Sequence, residues 1–519
     1  MAAIITDQIR ILNAKNFVAG VSSSTNSYYS FIGLPNPTDI QSDWDTNPPP
    51  PKDNFDEENN YWDTMIALKK INAGDTRQVI KKRFWSSGTK FDMYRHDYSI
   101  SNTAKITEAT SLYSSSYYVL NSDYKVYICL QNGMTPENPT GRPSLDEPTF
   151  TDLEPRAAGS SGDGYIWKYL YTIKPADIIK FESTEFMPVP VNWETSNENA
   201  SVRDNAIDGS IKIVTIKNRG ISVGPANRTY TRVPIRGNGI GAECTIVVNN
   251  DKKVESVTIS NQGSGYTFGT VDLVAGNVPT GTTLPEFNVI ISPNGGHGSN
   301  IYRELGAYNV LVYSRIENDN ENPDFITGNQ IARVGIIENP KAFGSSQNLN
   351  VSKASAVYAL KLIATGSNST TATTYATDSI ISQTVSTGIT AVGKVISYDQ
   401  ITGVLKYWQD RSSSGFSTVG VAITNPVYGF DQIEFTSTPT TGGSLTISGG
   451  SANLQINTGF TGISTVINNR TYHLGQSFTN GLANPEVKKY SGNIIYVDNR
   501  PSITRSSNQK EDIKVILQF

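Results

Sequence analysis

Bulky side chains alternate with a period of two along much of the chain after residue 90, and this pattern constrains the fold more than any other feature. In segment 165–173, five alternate residues share one face of an extended strand: Tyr165, Trp167, Tyr169, Tyr171 and Ile173. Ile166 and Leu170 lie opposite, so we expect both faces to be at least partly covered. The pattern predicts a mainly β, multi-domain protein. Its α+β core would carry short peripheral helices and inserted modules that resemble β-sandwiches or barrels.

Three further segments support this reading. In 124–130, Val126, Ile128 and Leu130 share a face, and the end of the chain places four residues on one side: Ile513, Val515, Leu517 and Phe519. Two helices are predicted near the N-terminus. The first begins at Thr6 or Asp7 and runs through Asn13, with Ile9 and Leu12 on its buried face. The second runs from Glu57 to Asn72, with four inward residues: Trp62, Met65, Ile66 and Leu68.

Two changes in composition indicate inserted modules. The motif Val-Thr-Ile-x-Asn-x-Gly occurs at 214–220 and again at 257–263, which predicts a small duplicated β-module. Residues 351–480 are poor in charge and rich in Thr, Ser and Gly, and 392–407 has the pattern of a hairpin. We therefore predict five segments: an N-terminal core at 1–204, the duplicated β-module at 205–296, a core continuation at 297–345, an inserted β-domain at 346–484 and C-terminal core strands at 485–519.

Charge and cysteine content narrow the classes of partner. The chain has 43 basic and 47 acidic residues, a net charge of −4, so no nucleic-acid partner is expected. The one dense basic cluster, Lys81-Lys82-Arg83, is best interpreted as a solvated strand or helix end. Two cysteines, Cys129 and Cys244, cannot build a disulfide framework for 519 residues. The sequence shows neither a signal-peptide stretch nor an apolar run of transmembrane length, which predicts no membrane insertion and folding in a reducing cytoplasm.

The residue types that carry catalysis and metal binding are sparse. The three histidines, His96, His297 and His473, lie in separate regions, and no spacing joins them to a nucleophile or a metal site. The glycines at 237, 239 and 241 lack the dinucleotide-binding spacing and predict a β-turn. Segment 317–324 is rich in oxygen ligands but lacks the spacing of a calcium loop, which favours a solvated turn. We predict no enzyme, and no catalytic, cofactor-binding or metal-binding residue.

Several segments in a fixed order resemble the baseplate wedge subunit of contractile-tailed, T-even-type bacteriophages. The most specific are Gly162-Asp163-Gly164-Tyr165-Ile166-Trp167-Lys168-Tyr169-Leu170 and Asp498-Asn499-Arg500-Pro501, which in the family is a turn followed by an alternating strand. The order of the remaining features is also similar: Ser27–Gly33, a Trp/Pro-rich loop from Trp44 to Pro51, a helix with Trp62 and Met65, Tyr124–Leu130 and Ile331–Pro340. Segments 205–296 and 346–484 have no counterpart in the shorter family members.

The resemblance implies a structural protein of the virion. It implies a homodimer in the tail baseplate, made and assembled in the host cytoplasm, that binds other wedge subunits and helps to carry the rearrangement that triggers sheath contraction. Fibre-attachment proteins are further expected partners. Energy in such interfaces concentrates in a few buried aromatic anchors. The candidates for core or interface positions are Trp44, Trp62, Trp85, Trp167, Tyr169 and Phe519.

Two other functions stay open at this point. The Thr/Asn/Gly-rich texture of 351–480 is compatible with a tail-fibre-attachment or host-recognition protein that binds glycans. A tail-associated hydrolase of the cell envelope is the weakest hypothesis. Symmetry distinguishes the first two, because fibres are usually trimeric and the wedge family is dimeric.

Overall fold

A computed structural model describes residues 4–36, 41–317, 330–409, 433–506 and 509–519. It is mainly β, with 42% strand and 10% helix, as the alternation predicts, and its sheets include half-barrels and a nearly closed barrel. The described helices are α1 (Asp7–Ser22), α2 (Phe55–Thr64), α3 (Pro175–Phe181), α4 (Ala200–Asp204) and α5 (Ile301–Leu305).

The described strands of the first half are β1 (Tyr28–Gly33), β2 (Met65–Ile71), β3 (Thr76–Lys81), β4 (Tyr118–Leu120), β5 (Lys125–Asn132), β6 (Tyr165–Thr172), β7 (Phe186–Pro188), β8 (Ile211–Asn218), β9 (Arg228–Gly237), β10 (Ile240–Val248), β11 (Val254–Ser264), β12 (Gly269–Val271) and β13 (Glu286–Ile291). Those that follow are β14 (Asn309–Glu317), β15 (Gln330–Glu338), β16 (Lys341–Ala342), β17 (Lys353–Ser355), β18 (Tyr358–Ile363), β19 (Ile380–Ser386), β20 (Ile389–Asp399), β21 (Val404–Trp408), β22 (Thr446–Ile447), β23 (Leu454–Ile456), β24 (Gly462–Ile467), β25 (Arg470–Phe478), β26 (Leu482–Ala483), β27 (Val487–Lys488), β28 (Asn493–Thr504) and β29 (Lys510–Gln518). Two compact units result: residues 1–18, 76–312 and 515–519 form the first, and 19–75 with 313–514 form the second.

The centre of the first unit is the antiparallel sheet β4-β5-β6, in which Cys129 stands opposite Trp167. Trp167 on one face of β6 and Leu170 on the other are both fully buried, so both faces of this strand are covered, as the sequence indicated. The Trp167 ring stacks on Tyr165 with centroids 5.3 Å apart. Burial raises the pKa of the Cys129 thiol well above its usual value, which fits an inert core thiol.

Residues 211–291 of the first unit have a hydrophobic cluster of their own. Strands β11-β10-β9-β12 form one sheet and β13-β8 a second. The chain turns between β9 and β10 at Asn238 and Gly239, where the glycine pattern predicts a turn. A side chain at Gly239 would meet the Tyr266 ring at 2.4 Å, so this close approach requires glycine.

The second unit is organised by the five-stranded sheet β17-β2-β1-β15-β28. Phe31 in β1 stands between Leu68 of β2 and Gly335 of β15. A Cβ at Gly335 would lie 2.2 Å from the Phe31 ring, so the packing of that ring needs a glycine beside it. The Asp498–Pro501 motif lies within β28 and not in a turn. A register shift there sets residues 500–502 opposite Ala332 alone, which accommodates Pro501 as a bulge.

A further cluster occupies residues 358–482 of the second unit, around strands β18 to β23. The predicted hairpin of 392–407 is confirmed by the pairing of β20 with β21. Asp399 closes its turn, because one carboxylate oxygen accepts the Ile401 amide at 2.9 Å and the other the Thr402 hydroxyl at 2.7 Å. Gly403 supplies the left-handed residue, with φ of +67°.

Both N-terminal helix predictions need correction. Helix α2 ends at Thr64, and residues 65–71 form β2 and not a further helical turn. The reason is that Met65, Ile66, Ala67 and Leu68 are all buried in succession, between β1 and β17, which is the pattern of a central strand. Helix α1 extends to Ser22, and Ile9 and Leu12 are about half exposed, while Ile11 and Ala14 are buried.

The five predicted segments are distributed over both units. The cluster at 211–291 falls within the predicted module 205–296, and the cluster at 358–482 within 346–484. The predicted N-terminal core of 1–204 contributes residues 19–75 to the second unit and the rest to the first. The five boundaries themselves stay predictions. Most of the acidic segment 317–324 lies outside the described residues.

Candidate functional site

Three of the motifs that carry the family resemblance meet around the buried side chain of Arg333, in the second unit. Its guanidinium lies 5.4 Å from the centroid of the Trp44 ring and 4.9 Å from that of Tyr61. Nε donates to the side-chain oxygen of Asn499 at 2.8 Å, and a terminal nitrogen donates to the hydroxyl of Thr64. The Trp/Pro-rich loop, helix α2, β15 and the Asp498–Pro501 motif therefore share one centre.

Two further hydrogen bonds tie the loop to β28. The indole N–H of Trp44 donates to the carbonyl of Arg500 at 2.9 Å, and the Asn499 amide donates to the carbonyl of Pro49 at the same distance. Arg333 forms no ion pair with a carboxylate of the described residues, and burial lowers the pKa of its guanidinium to about 10. Neutral oxygens and two aromatic faces stabilise this cation, which makes the centre a structural junction.

The only buried histidine of the described residues, His297, lies in the first unit and pairs with Glu304. Its Nδ1 is 2.5 Å from one carboxylate oxygen, and the Gly298 amide donates to the other at 2.7 Å. Both side chains are almost fully excluded from solvent, and the Tyr94 ring meets the imidazole edge-on at 4.7 Å. The pair fixes the turn before α5. Neither the imidazole of His297 nor the carboxylate of Glu304 is exposed at the surface.

The six aromatic candidates divide by burial. Trp44, Trp62 and Trp167 are buried, at 3%, 1% and 0% exposure. The others are partly exposed: Trp85, whose indole N–H donates to the Ser144 hydroxyl at 2.9 Å, Tyr169, whose ring meets Tyr127 at 5.7 Å, and Phe519, whose ring lies 5.6 Å from Phe17. Only the last three reach the surface of the chain.

Helix α1 has one buried face and one face with exposed apolar side chains. Its inner face packs on the first unit through Ile11 and Ala14, and Arg10 donates to the carbonyl of Phe519 at 2.8 Å. Its outer face exposes Ile9 and Leu12, at 49% and 53%, and Ile5, which precedes the helix in the chain, is 71% exposed. We call these three residues the α1 stripe. The sequence pattern identified Ile9 and Leu12 as apolar-face residues but placed that face in the core.

A second feature is a slot between β8 and β11 of the first unit. Backbone hydrogen bonds join the two sides only at or beyond the strand ends. The amide of Val254, the first residue of β11, donates to the Arg219 carbonyl at 2.9 Å, and at the other end the Gly265 and Tyr266 amides donate to the Asp208 and Gly209 carbonyls at 2.8 and 3.2 Å. Between these ends the two fully described strands form no ladder. A groove of about 470 Å³ opens there, and its lining includes Ile213, Thr258, Ser260 and Gln262. We call this the β8–β11 slot. The repeated Val-Thr-Ile motif is the sequence feature that corresponds to this slot, because one copy lies on each of its two walls.

The described residues contain no group of three or more His, Cys, Asp or Glu side chains placed to hold a metal ion. Among the same residues, no helix combines the length and apolarity that a bilayer crossing requires. The exposed features of the first unit described above are the α1 stripe and the β8–β11 slot. No protein-family model matches the sequence, and no curated protein matches it.

Proposed function

We propose that this chain is a structural subunit of the baseplate wedge of a contractile-tailed phage, which self-associates and cross-links neighbouring wedge proteins. The observation that carries the proposal is the α1 stripe. Large apolar side chains grouped on one exposed helix face are typical of a protein that buries them against a partner. The wedge-like motifs, which occur in the same order as in the family, support a phage baseplate as the assembly in which this surface is buried.

The pattern of α1 favours a second copy of the chain as the partner. Within α1, Ile9, Leu12 and Asn16 are spaced by three and four residues, which is the spacing of a coiled-coil seam, and Ile5 precedes this seam by four residues. With Ile9 at an a position and Leu12 at d, the seam has the residue types of a two-stranded pair, and an Asn at a, as at position 16, commonly fixes register. The seam itself carries no charge. The flanking Lys15 is paired with Glu194 at 2.8 Å, so two copies would not repel each other there.

The stripe alone gives a modest affinity. Full burial of an Ile or Leu stabilises by about 1.5–3 kcal/mol, and these side chains are already partly covered. Association costs about 4–15 kcal/mol in lost freedom, so further surface must contribute to the dimer. It also follows that loss of two apolar residues from each copy should shift the equilibrium strongly toward the monomer.

The test is the mass of the full chain in solution by light scattering. We expect twice 56.5 kDa, about 113 kDa, for the wild type and 56.5 kDa for the double variant Ile9→Asp/Leu12→Asp. Ile100→Asp is the matched control, because Ile100 is 90% exposed in the same unit and lies outside the stripe, and it should remain dimeric. A monomeric wild type contradicts self-association.

Two other results have distinct meanings. A mass of about 170 kDa, three times the chain mass, would favour the fibre or host-recognition function and make glycan binding the next measurement. A dimer that survives Ile9→Asp/Leu12→Asp would place the interface elsewhere. The wedge role itself is tested by co-expression with the other tail proteins of the same phage, where we expect the chain to co-purify in a complex of defined stoichiometry.

A further inference from the structure

The two walls of the β8–β11 slot are copies of one another. The hydrogen bonds beyond its ends join Arg219 to Val254 and Asp208 to Gly265, which sets the strands antiparallel with Thr215 opposite Thr258. These threonines are the same position of the repeated Val-Thr-Ile motif. The copies also end alike, since Asn218 accepts the Gly220 amide at 2.9 Å and Asn261 accepts the Gly263 amide at 3.2 Å. A local two-fold axis therefore passes through the slot.

Bulges in both walls explain why the strands do not close on each other. The register of β11 against β10 shifts beside Cys244 and leaves Ser260 without an opposite residue. The register of β8 against β13 shifts near both of its ends. A bulge bends its strand and redirects its amides, so the two edges cannot hold one ladder between the bonds at either end. Backbone donors and acceptors of both walls are left facing the slot without strand partners.

Two side chains at this level also lack partners among the described residues. The side-chain carbonyl oxygen of Gln262, which lines the groove, is buried and accepts no hydrogen bond. The hydroxyl of Thr215, a residue only 3% exposed, is likewise unsatisfied. Buried polar atoms in folded proteins nearly always have a partner. Thr215 does not line the groove, so only the Gln262 oxygen is placed to accept a hydrogen bond from a donor in the slot.

The lining selects the chemical class of that donor. The residues around the groove are mostly amides, hydroxyls and aliphatic side chains, and none is aromatic, so a sugar or a base has no ring to stack on. The cations at its two ends are occupied, Lys212 by Glu154 at 2.6 Å and Arg219 by Glu137 at 2.7 Å, which disfavours a phosphate. Free strand edges with such a lining suit the main chain of an extended peptide.

We propose that the β8–β11 slot binds an extended polypeptide segment of another protein, which adds as a strand to the free edge of β11. The main-chain amides of the segment supply donors to that edge and to the Gln262 oxygen, and its carbonyls accept from the edge amides. The groove, at about 470 Å³, lies within the ~300–1,000 Å³ range of ligand clefts and holds a short segment only. The inserted module thereby acts as a docking element, independent of the α1 stripe.

The test is selection of a random library of 12-residue displayed peptides on the full wild-type chain, with counter-selection on the variant Ser260→Trp. Ser260 lines the groove and is exposed, so an indole there should fill the slot without entering the core. Thr229→Trp is the matched control, because Thr229 is an exposed residue on β9 of the same module and does not line the groove. We expect enriched peptides to bind the wild type and Thr229→Trp equally and Ser260→Trp at least tenfold more weakly.

A second measurement does not depend on any protein variant. The enriched peptide is synthesised with alternate backbone amides methylated, which removes main-chain donors and keeps the side chains, and its affinity for the wild type should fall at least tenfold. Three results would overturn the proposal: no enrichment over the counter-selection, equal affinity for Ser260→Trp, or equal affinity of the methylated peptide. Each of them leaves the dimer measurement untouched.

Discussion

The carboxylate of Glu304 in the first unit and the guanidinium of Arg333 in the second are both almost fully excluded from solvent, but their partners differ. Glu304 has a titratable partner in His297 and a backbone amide. The partners of Arg333 are side-chain oxygens and aromatic rings, with no described carboxylate in ion-pair contact: the oxygens of Asn499, Thr64 and Asn36 and the rings of Trp44 and Tyr61. The comparison shows that the first centre depends on a matched pair, while the second depends on shape and neutral acceptors.

The largest loss of stability is expected when the matched pair is broken. Glu304→Ala leaves the His297 nitrogen and the Gly298 amide without an acceptor in a buried space, and should lower the free energy of unfolding by about 3–5 kcal/mol. Denaturant titration with hydrogen exchange on peptides of residues 76–312 measures it. Glu304→Gln keeps the volume and one acceptor and should lose less. Equal losses for the two variants would show that the carboxylate charge, not the acceptor, determines stability.

Arg333 should respond to volume more than to charge. Arg333→Ala removes the contacts with both rings and leaves a cavity, with an expected loss of about 3 kcal/mol. Arg333→Met fills much of the same space and strands no opposite charge, but it leaves the oxygens of Asn499 and Thr64 without their donor, so its loss should be smaller, about 1–2 kcal/mol. The same titration, followed by exchange on peptides of residues 313–514, compares them. If Met is as damaging as Ala, the hydrogen bonds to Asn499 and Thr64 dominate, and the contrast with Glu304 fails.

The aromatic contribution to the Arg333 centre is expected to be smaller. Trp44→Leu removes one ring from the cation and leaves the Arg500 carbonyl without the indole donor, which should cost about 2 kcal/mol. Trp85→Leu is a useful control, since Trp85 also donates through its indole N–H, to Ser144, but is only half-buried and holds no cation. Its expected loss is about 1 kcal/mol. If Trp85→Leu loses as much stability as Trp44→Leu, the contact between the Trp44 ring and the Arg333 cation contributes nothing measurable.

Local patterns in the sequence predicted local structure well. The strand at 165–172 and the hairpin of 392–407 both depend on neighbouring residues, and both are confirmed. The strict alternation along 165–173 is interrupted, because a register shift leaves Leu170 without an opposite residue and Lys168 is buried as well. The prediction for 57–72 was wrong after Thr64, because β1 and β17, from distant parts of the chain, cover both faces of 65–71. Neither the partners of Arg333 nor the pairing of the two repeat copies could be inferred, since each joins residues far apart in the sequence and depends on sheet order.

The sequence identified Ile9 and Leu12 as one apolar face of α1 and predicted that this face is buried, but in the structure both residues are about half exposed. Ile9 and Leu12 form an apolar stripe by their spacing, and so do Ile11 and Ala14 by theirs. Two apolar faces on one helix do not tell which of them the same chain covers, because a helix contacts its own core and a second chain by the same chemistry. Only the packing of α1 on the rest of the first unit shows which face is buried.

The exposed ion pair of Arg315 with Asp512 extends the comparison to a charge that water can reach, and should show the smallest effect. The pair is bidentate, with distances of 2.7 and 2.8 Å, and its hydrogen bonds lower the pKa of Asp512 to about 2. An acid with a depressed pKa stabilises the fold above its unfolded value near 3.9, and that contribution is lost as the pH falls toward 2. Both side chains are about two-fifths exposed, so solvent screening should reduce the contribution to under about 1 kcal/mol.

Asp512→Asn should therefore change the free energy of unfolding at pH 7 by less than about 1 kcal/mol, and should remove part of its slope between about pH 4 and 2. Denaturant titrations at pH 7 and across that acid range measure both quantities, with Asp498→Asn as the control for another paired surface aspartate. A loss as large as that of Glu304→Ala would mean that burial does not determine how much a paired charge stabilises the fold. Both oxygens of the Glu304 carboxylate and both oxygens of the Asp512 carboxylate accept hydrogen bonds, whereas Arg333 has no described carboxylate partner. In that case this two-point hydrogen bonding, and not burial, would determine how much each charge stabilises the fold.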